Sequence, residues 1–252
     1  MCDIKYIASV SFGKDSLAML LRLLKERHPL DAVVFYDTGM EFQSIYNIRD
    51  RLKPILQESG VEYIELHPQE PFLYSMLERE IKYRKKPGYH YGYGWCGGGC
   101  RWATKHKTVS INKFKKRQRD AVIDYVGIAC DELHRAEKNA DPNKRFPLIE
   151  WGMSEADCLS YCYDAGFRWV EGDIELYDIL DRVSCWCCKN KNLKELRNIY
   201  QYLPDYWQRL RDLQSKIPMP MKGEGKSIFD LEKRFSAELG NGGIKEELFN
   251  GN

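Results

Sequence analysis

The feature that most constrains this chain is an alternation near its N-terminus. Three short runs rich in β-branched and aromatic residues are separated by two stretches of helical periodicity. Ile4–Val10 (IKYIASV), Asp31–Tyr36 (DAVVFY) and Val61–Leu66 (VEYIEL) read as strands. Between the first two, Leu17, Leu20, Leu21 and Leu24 fall on one helical face, with Asp15 or Ser16 placed to cap it. Gln43–Gln57 reads as the second helix and Ala121–Gly127 (AVIDYVG) as a further strand. Strands joined by helical crossovers must lie parallel, so the predicted fold is α/β, a parallel sheet with helices on both faces. Ligands of such sheets bind at the carboxyl ends of the strands. From about Asn190 the pattern becomes helical (LKELRNIYQYL, then DYWQRLRDLQ), which predicts an α/β domain over 1–180 and a small helical part over 181–252 packed on it. Residues 240–252 read as a mobile end, and no internal repeat is present.

Composition narrows the chemistry. A net charge of +2 over 252 residues excludes a global polyanion-binding character, so any nucleic-acid contact must come from a local patch. No apolar stretch approaches the ~18 residues of a membrane span. The start, MCDIKYIASV, has an acidic residue and no basic leader, so it does not read as a signal peptide and a cytoplasmic, reducing location is expected. Nine cysteines are then better explained by metal, cluster or thiol chemistry than by disulfides.

The turn after the first strand is Ser11-Phe12-Gly13-Lys14-Asp15-Ser16. A phosphate cradle needs free backbone N–H groups, a small residue for close approach and a helix N-terminus behind it. This turn has all three, plus a lysine and two hydroxyls. It does not fit G-x-x-x-x-G-K-[ST], because the first glycine is absent and Asp15 follows the lysine. The alternative is an ordinary strand-to-helix turn.

SFGKDS resembles the SGGKDS-type PP-loop of the ATP pyrophosphatase and phosphoadenosine-phosphosulfate (PAPS) reductase superfamily, with Phe12 where that pattern often has glycine. The resemblance continues in order through YDTGMEF (36–42), GIACDELHRAEK (127–138), FPLIEWGMSEADCLSYCYDAGF (146–167) and DRVSCWCCKN (181–190), covering roughly residues 4–235. It implies a PP-loop nucleotide-binding domain in which Ser11, Phe12, Gly13, Lys14, Asp15 and Ser16 hold the pyrophosphate of ATP or the terminal anion of an adenylyl sulfate. Lys14 and Ser16 would stabilise charge as the α-phosphorus–oxygen bond breaks. Asp37 fits ribose or adenosine recognition, or Mg²⁺ through water, and equally a loop cap. Asp131, Glu132 and Arg135 would line the anion end of the pocket, or simply open a solvated helix.

Two cysteine groups stand apart from the rest. The segment Lys85–Arg101 holds Cys96 and Cys100 in a glycine-rich loop, and Cys185, Cys187 and Cys188 lie together near the helical part. Cys185-x-x-Cys188 has metal-ligand spacing, and two separated groups are a common way to build a four-thiolate site. Cys130, Cys158 and Cys162 read as small buried hydrophobes, and Cys2 as a terminal residue. By resemblance to the iron–sulfur members, Cys96, Cys100, Cys185 and Cys188 would hold a 4Fe–4S cluster, with zinc as the alternative. Their first pair is usually adjacent, whereas here it is C-x-x-x-C. Cys187 is the spare thiol and could carry sulfur or pack. The tail after Met221 lacks the E-C-G-x-H-type cysteine of thioredoxin-dependent PAPS reductases. Lys105–Arg119 (KHKTVSINKFKKRQR) is a solvated helix face or a contact for a 3′ phosphate or nucleic-acid backbone.

The resulting expectation is an enzyme that, with Mg²⁺, cleaves ATP to AMP and pyrophosphate, adenylates an acceptor and is linked to sulfur transfer. Its partners would be an adenine nucleotide and a nucleic-acid acceptor or sulfur-donor protein, with no membrane. The rival readings are a PAPS or adenylyl-sulfate reductase, and a non-catalytic nucleotide-binding component of a defence or mobile-element complex.

Overall fold

The structure is a computed structural model. It describes residues 4–95, 100 and 105–249, with 241–249 described as backbone only. Five strands form the main sheet: β1 (Ile4–Val10), β2 (Ala32–Tyr36), β3 (Glu62–Leu66), β6 (Ala121–Val126) and β7 (Lys144–Arg145). Their order is β3-β2-β1-β6-β7 and every pairing is parallel. The chain runs outward from β1 to β3 and then returns to the other side of β1. The β1/β6 boundary is therefore the place where crossovers diverge and a crevice opens at the carboxyl ends.

Alternation along the strands assigns the two faces. Ala8, Val10, Val33 and Phe35 join α1 (Lys14–Lys25) and α2 (Gln43–Glu58) in the main core. Ile7, Ala32, Val34 and Tyr36 point the other way, onto Ile111 of α4 (His106–Lys116). This is the period-2 consequence of a sheet covered on both sides. Burying one such aliphatic side chain contributes about 1.5–3 kcal/mol, so Ile111, 7% exposed, is the main anchor of an otherwise polar α4.

Between β3 and α4 lie α3 (Phe72–Leu77) and an antiparallel hairpin, β4 (Glu80–Lys82) with β5 (Tyr89–Tyr91). This corrects the expectation that glycine would keep Lys85–Arg101 free of regular structure. The glycines sit at the hairpin's turn and root, leaving Tyr89–Tyr91 free to pair. At the root, Gly92 (φ +64°) lies so close to α3 that a Cβ there would meet the Met76 carbonyl oxygen at 2.3 Å. The hairpin's base is thereby locked to α3.

After β6, a 3-10 turn (Cys130–Glu132) leads into α5 (Leu133–Lys138), and α6 (Pro147–Glu150) follows β7. Next comes α7 (Glu155–Asp164), which packs along α1 and starts with a reciprocal Ser154–Asp157 capping box. A two-stranded ribbon, β8 (Val170–Glu171) with β9 (Ile174–Glu175), leads through α8 (Leu176–Ile179) to three helices: α9 (Leu193–Tyr202), α10 (Pro204–Lys216) and α11 (Ile228–Phe249). Trp186, Leu196, Trp207 and Phe235 from this region share one core with Ala8 and Leu17. The backbone stays helical from Gly240 to Phe249, where the sequence suggests a loose end.

The cap of α1 is a second correction. Gly13, in extended conformation (φ −75°, ψ 166°), is the N-cap, while Asp15 and Ser16 lie inside the first turn. The Ser16 hydroxyl turns back into the loop, accepting from the Ser11 N–H (3.2 Å) and donating to the Gly13 carbonyl (3.2 Å).

Candidate functional site

The β1–α1 loop is held from several sides. Phe12 has φ +58°, a left-handed conformation costly for a residue with a Cβ. Its ring is fully buried against Phe35 (4.9 Å between centroids), and its carbonyl accepts the Trp169 indole N–H at 2.8 Å. Phe12 thus anchors the loop by its side chain, and only its backbone is available to a ligand. The Lys14 N–H donates to the Tyr177 hydroxyl at 2.8 Å. Behind the loop, Gly127 at the end of β6 packs against α1, where a Cβ would meet Ser16 Cα at 2.8 Å.

Lys14 does not line the cavity described below. Its ammonium lies between Asp15 Oδ1 (3.1 Å) and the Glu155 carboxylate at the start of α7. Burial lowers its pKa, but hydrogen bonds to Glu155 and Asp15 outweigh that and hold it above the ordinary lysine value. Desolvation pushes Asp15 up, against the opposing pull of Lys14. The network continues outward. Glu132, buried, pairs with Arg135 and Arg182, and Arg182 reaches Glu155 at 3.8 Å. Asp131 accepts the Glu155 N–H with both oxygens at 3.2 Å, so it caps α7. Of the Asp131, Glu132 and Arg135 trio, Arg135 is the member that faces the cavity.

That cavity, about 560 Å³, sits on the α4 side of the sheet above the carboxyl halves of β1 and β6. This is an ordinary size for a small-molecule site. One wall is the loop itself, through Ser11 and Ser16, whose hydroxyls lie 3.2 Å apart. A second wall is cationic. Lys107 and Lys115 of α4 face it with Arg135 and Lys144. Lys115 pairs with Asp124, which accepts the Ser9 hydroxyl at 2.9 Å, and burial lowers the Lys115 pKa. The basic run Lys105–Arg119 is therefore divided: Lys107 and Lys115 face the cavity, and Lys105, Lys113, Lys116, Arg117 and Arg119 are exposed.

The remaining wall holds sulfur. Cys100, Cys185, Cys187 and Cys188 all line the same cavity, although Cys100 is distant in sequence from the other three. Cys96 lies outside the described residues. A turn closed by the Cys188 N–H on the Cys185 carbonyl (3.0 Å) gathers the three later cysteines, and the Trp186 N–H on the Met40 carbonyl (3.0 Å) fixes that turn to the end of β2. The Cys185 thiol contacts Thr38 Oγ1 (3.5 Å) and donates to Glu41 Oε1 (3.7 Å). Burial drives the Cys185 and Cys187 thiols well above the ordinary range, and neighbouring carboxylate and thiol charges add to it. Glu41 is likewise pushed up by desolvation. Protonated, crowded thiols of this kind are the donor set that a thiophilic cation converts to thiolates. Trp95, 2% exposed in the same wall, has an indole N–H with no acceptor among the described residues. The donor chemistry fits a thiolate-held metal or iron–sulfur cluster.

Asp37 is placed differently. Its Oδ1 accepts from the Gly39 N–H (2.7 Å) and the Tyr46 hydroxyl (2.8 Å), and it faces Glu65 and His67 rather than the cavity. Asp37, Glu65 and His67 bring ligand atoms within 4.8 Å of one another. Glu65 is already engaged by Tyr63 (2.5 Å) and Arg49 (3.4 Å).

Sequence reasoning missed Thr38, Glu41, Gly127, Glu155 and Tyr177. Thr38 and Glu41 carried a signal, as polar residues directly after a buried strand. Glu155 and Tyr177 meet Lys14 across 141 and 163 residues, and nothing local announces that.

A crevice at the β1/β6 boundary, a strand-to-helix turn at its edge and clustered thiols on its wall together define the site of this α/β protein. The chain matches the phosphoadenosine phosphosulfate reductase domain over residues 5–170, about two thirds of its length, and belongs to that family. It is 25% identical over 221 residues to the uncharacterized protein MJ0066 of Methanocaldococcus jannaschii, covering 81% of this chain. The chain spans 40% of the length of that relative. Among solved structures it is similar to the U34-tRNA thiolase NcsA from Methanococcus maripaludis, a structure that includes a 4Fe–4S cluster. That match has 12% identity and a TM-score of 0.47, over 94% of this chain and 72% of the other. Among the described residues no helix is long and apolar enough to cross a membrane.

Proposed function

We propose that this protein binds ATP at the β1–α1 loop, cleaves it between the α and β phosphates to adenylate an acceptor, and links that activation to sulfur transfer. One observation carries the reading: a single cavity has the Ser11/Ser16 turn on one wall and four cysteines on another. The loop hydroxyls and the positive end of α1 would hold the departing pyrophosphate. Lys14 lies behind the turn, where its ammonium balances the Asp15 and Glu155 carboxylates. Mg²⁺ would accompany the phosphates. The acceptor oxygen attacks the α-phosphorus as the α–β bridging bond breaks, and pyrophosphate carries off the electron pair.

Cys100, Cys185 and Cys188, with Cys96, are the residues that would hold an iron–sulfur cluster or zinc. A cluster supplies a site for binding and activating sulfur when present. Cys187 is the remaining thiol on that wall. A second reading, reduction of a sulfonucleotide, is favoured by the Lys107, Lys115 and Lys144 wall, which suits a further anionic group on the nucleotide. Product analysis separates the readings. ATP with Mg²⁺ should give AMP and pyrophosphate or an adenylylated acceptor. Sulfite from PAPS would instead establish the reductase, and ADP with phosphate would exclude the adenylation mechanism. Nucleotide binding with no product would leave a binding component.

A further inference from the structure

The β4–β5 hairpin plays no part in the site above, yet its outer face combines cations with exposed aromatic rings. Lys82, Arg84, Lys85 and Lys86 are all exposed, a local excess that stands out in a chain of net charge +2. Arg79, at the hairpin's start, is already engaged by Glu70 at 2.8 Å. The pairing register sets the faces. Lys82 is opposite Tyr89 and Glu80 opposite Tyr91, so these four share one face, while Ile81 and His90 share the other.

On that first face Tyr89 is 54% and Tyr91 is 69% exposed, the latter the most exposed large side chain of its kind in the described molecule. The opposite face is quieter, with Tyr83 and His90 half-buried and their rings 5.2 Å apart. Two tyrosines at positions i and i+2 of a strand stand about 7 Å apart. That spacing lets each ring take one unstacked base, which is how exposed sheet aromatics bind single strands. Exposing two large rings without a partner forgoes their burial, so their place on a cationic hairpin calls for a ligand that is both anionic and planar.

The hairpin is also aimed. Its root is closed on itself by the Gly92 N–H on the Arg79 carbonyl (2.8 Å) and clamped to α3 by the Gly94 N–H on the Met76 carbonyl (2.9 Å). Met76 and Trp95, on either side of the hairpin in sequence, both line the cavity. The root of the hairpin is therefore anchored at the lining of the cavity. α4, which forms another wall of that cavity, also carries exposed lysines.

We propose that this hairpin docks a single-stranded segment of nucleic acid, with Tyr89 and Tyr91 stacking on successive bases and Arg84, Lys85 and Lys86 meeting phosphates. That the segment carries the acceptor rests on the adenylation reading; that it binds here does not.

The test is fluorescence anisotropy of the full chain, without ATP, against a labelled single strand of about 20 nucleotides, longer than one such surface occupies. The strand is made both as DNA and as RNA, and tyrosine-dependent binding of either supports the proposal. Affinity should fall with salt by about 0.7 log units per phosphate contact for each log unit of salt. Y89A/Y91A should weaken binding at least about tenfold with the salt slope unchanged. Y89F/Y91F should bind within about threefold of the parent, since phenylalanine keeps the stacking face. R84A/K85A/K86A should instead reduce the slope by about 2. Undiminished binding by Y89A/Y91A overturns the proposal. So does equal, tyrosine-independent binding of labelled polyglutamate, which would make this an acidic-protein site. Pyrophosphate release from ATP is measured in parallel. Docking without release would defeat only the adenylation reading, and release without docking only the present one.

Discussion

Replacing Gly127 with alanine isolates the contact on which the anion turn rests. Gly→Ala at an unstrained position stabilises a protein by about 0.4–1 kcal/mol, because the unfolded chain loses freedom. Here the added Cβ would meet Ser16 Cα at 2.8 Å, Ser16 N at 3.0 Å and Asp15 C at 3.2 Å. All three are backbone atoms of the first turn of α1, so no side chain can swing aside. Inserting a methyl into such packing costs about 1–3 kcal/mol, which exceeds the entropic gain. The expected net loss is about 1–2 kcal/mol, or a fall in Tm of roughly 2–8 °C for a chain of this size. Urea unfolding followed by circular dichroism reads the first figure, and calorimetry the second. Because the displaced atoms carry the Ser16 hydroxyl, ATP affinity measured by equilibrium dialysis should fall as well. For the stability readout Gly13→Ala is the comparison, since its Cβ would meet no protein atom nearer than the Tyr177 hydroxyl at 3.5 Å and needs no backbone movement. A Gly127→Ala protein at least as stable as the parent, with unchanged ATP affinity, would refute the packing argument.

Lys14→Ala combined with Ser16→Ala should weaken ATP or adenylyl-sulfate binding by about 2–4 kcal/mol in calorimetric titration, since a hydroxyl on the cavity wall is lost and the Asp15 and Glu155 carboxylates behind it are left without their counter-ion. Unchanged affinity in the folded double variant would rule out the loop as the phosphate site. Protein purified without oxygen should contain iron and sulfide, or zinc, and Cys185→Ala with Cys188→Ala should lose it along with any visible absorbance. A metal content equal to the parent's would remove these cysteines from the ligand set. Asp157 is held below the usual carboxylate range by hydrogen bonds from the Ser154 side chain and backbone. A carboxylate with a depressed pKa adds stability that is present above its unfolded value of about 3.9 and disappears as pH falls through the folded one. The Tm gap between the parent and Asp157→Asn should therefore narrow below about pH 4, and a gap constant with pH would contradict it.

The elements legible in the sequence are those whose signal is local. β1, β2 and β3 declare themselves as β-branched and aromatic runs and α1 and α2 as stretches of helical pattern, and the structure shifts their ends by no more than a residue or so, apart from α1, whose cap is Gly13. The hairpin could not be read this way, because three-residue strands are too short to show alternation and their pairing depends on where the glycines bend. Gly13 was legible as part of an anion turn, but the same resemblance hid that Phe12 enters the core and that Lys14 pairs with Glu155. Those are facts about which helix lies next to which, and α7 packs on α1 although the two lie far apart in the sequence. The gathering of Cys100 with Cys185, Cys187 and Cys188 at one cavity sits between these cases: spacing suggested grouping, and topology supplied the location.

Phe12 has a consequence for how fast and how tightly the loop can be occupied. A glycine at that left-handed position would remove the strain but leave the turn free to sample many shapes, each to be surrendered when a ligand arrives. With its ring fixed between strands and its carbonyl fixed by Trp169, the turn has surrendered that freedom during folding. Binding to such a preset loop should show little entropic penalty and need no slow rearrangement of the turn. In that sense Phe12 shifts the burden of order from the moment of encounter to the birth of the fold.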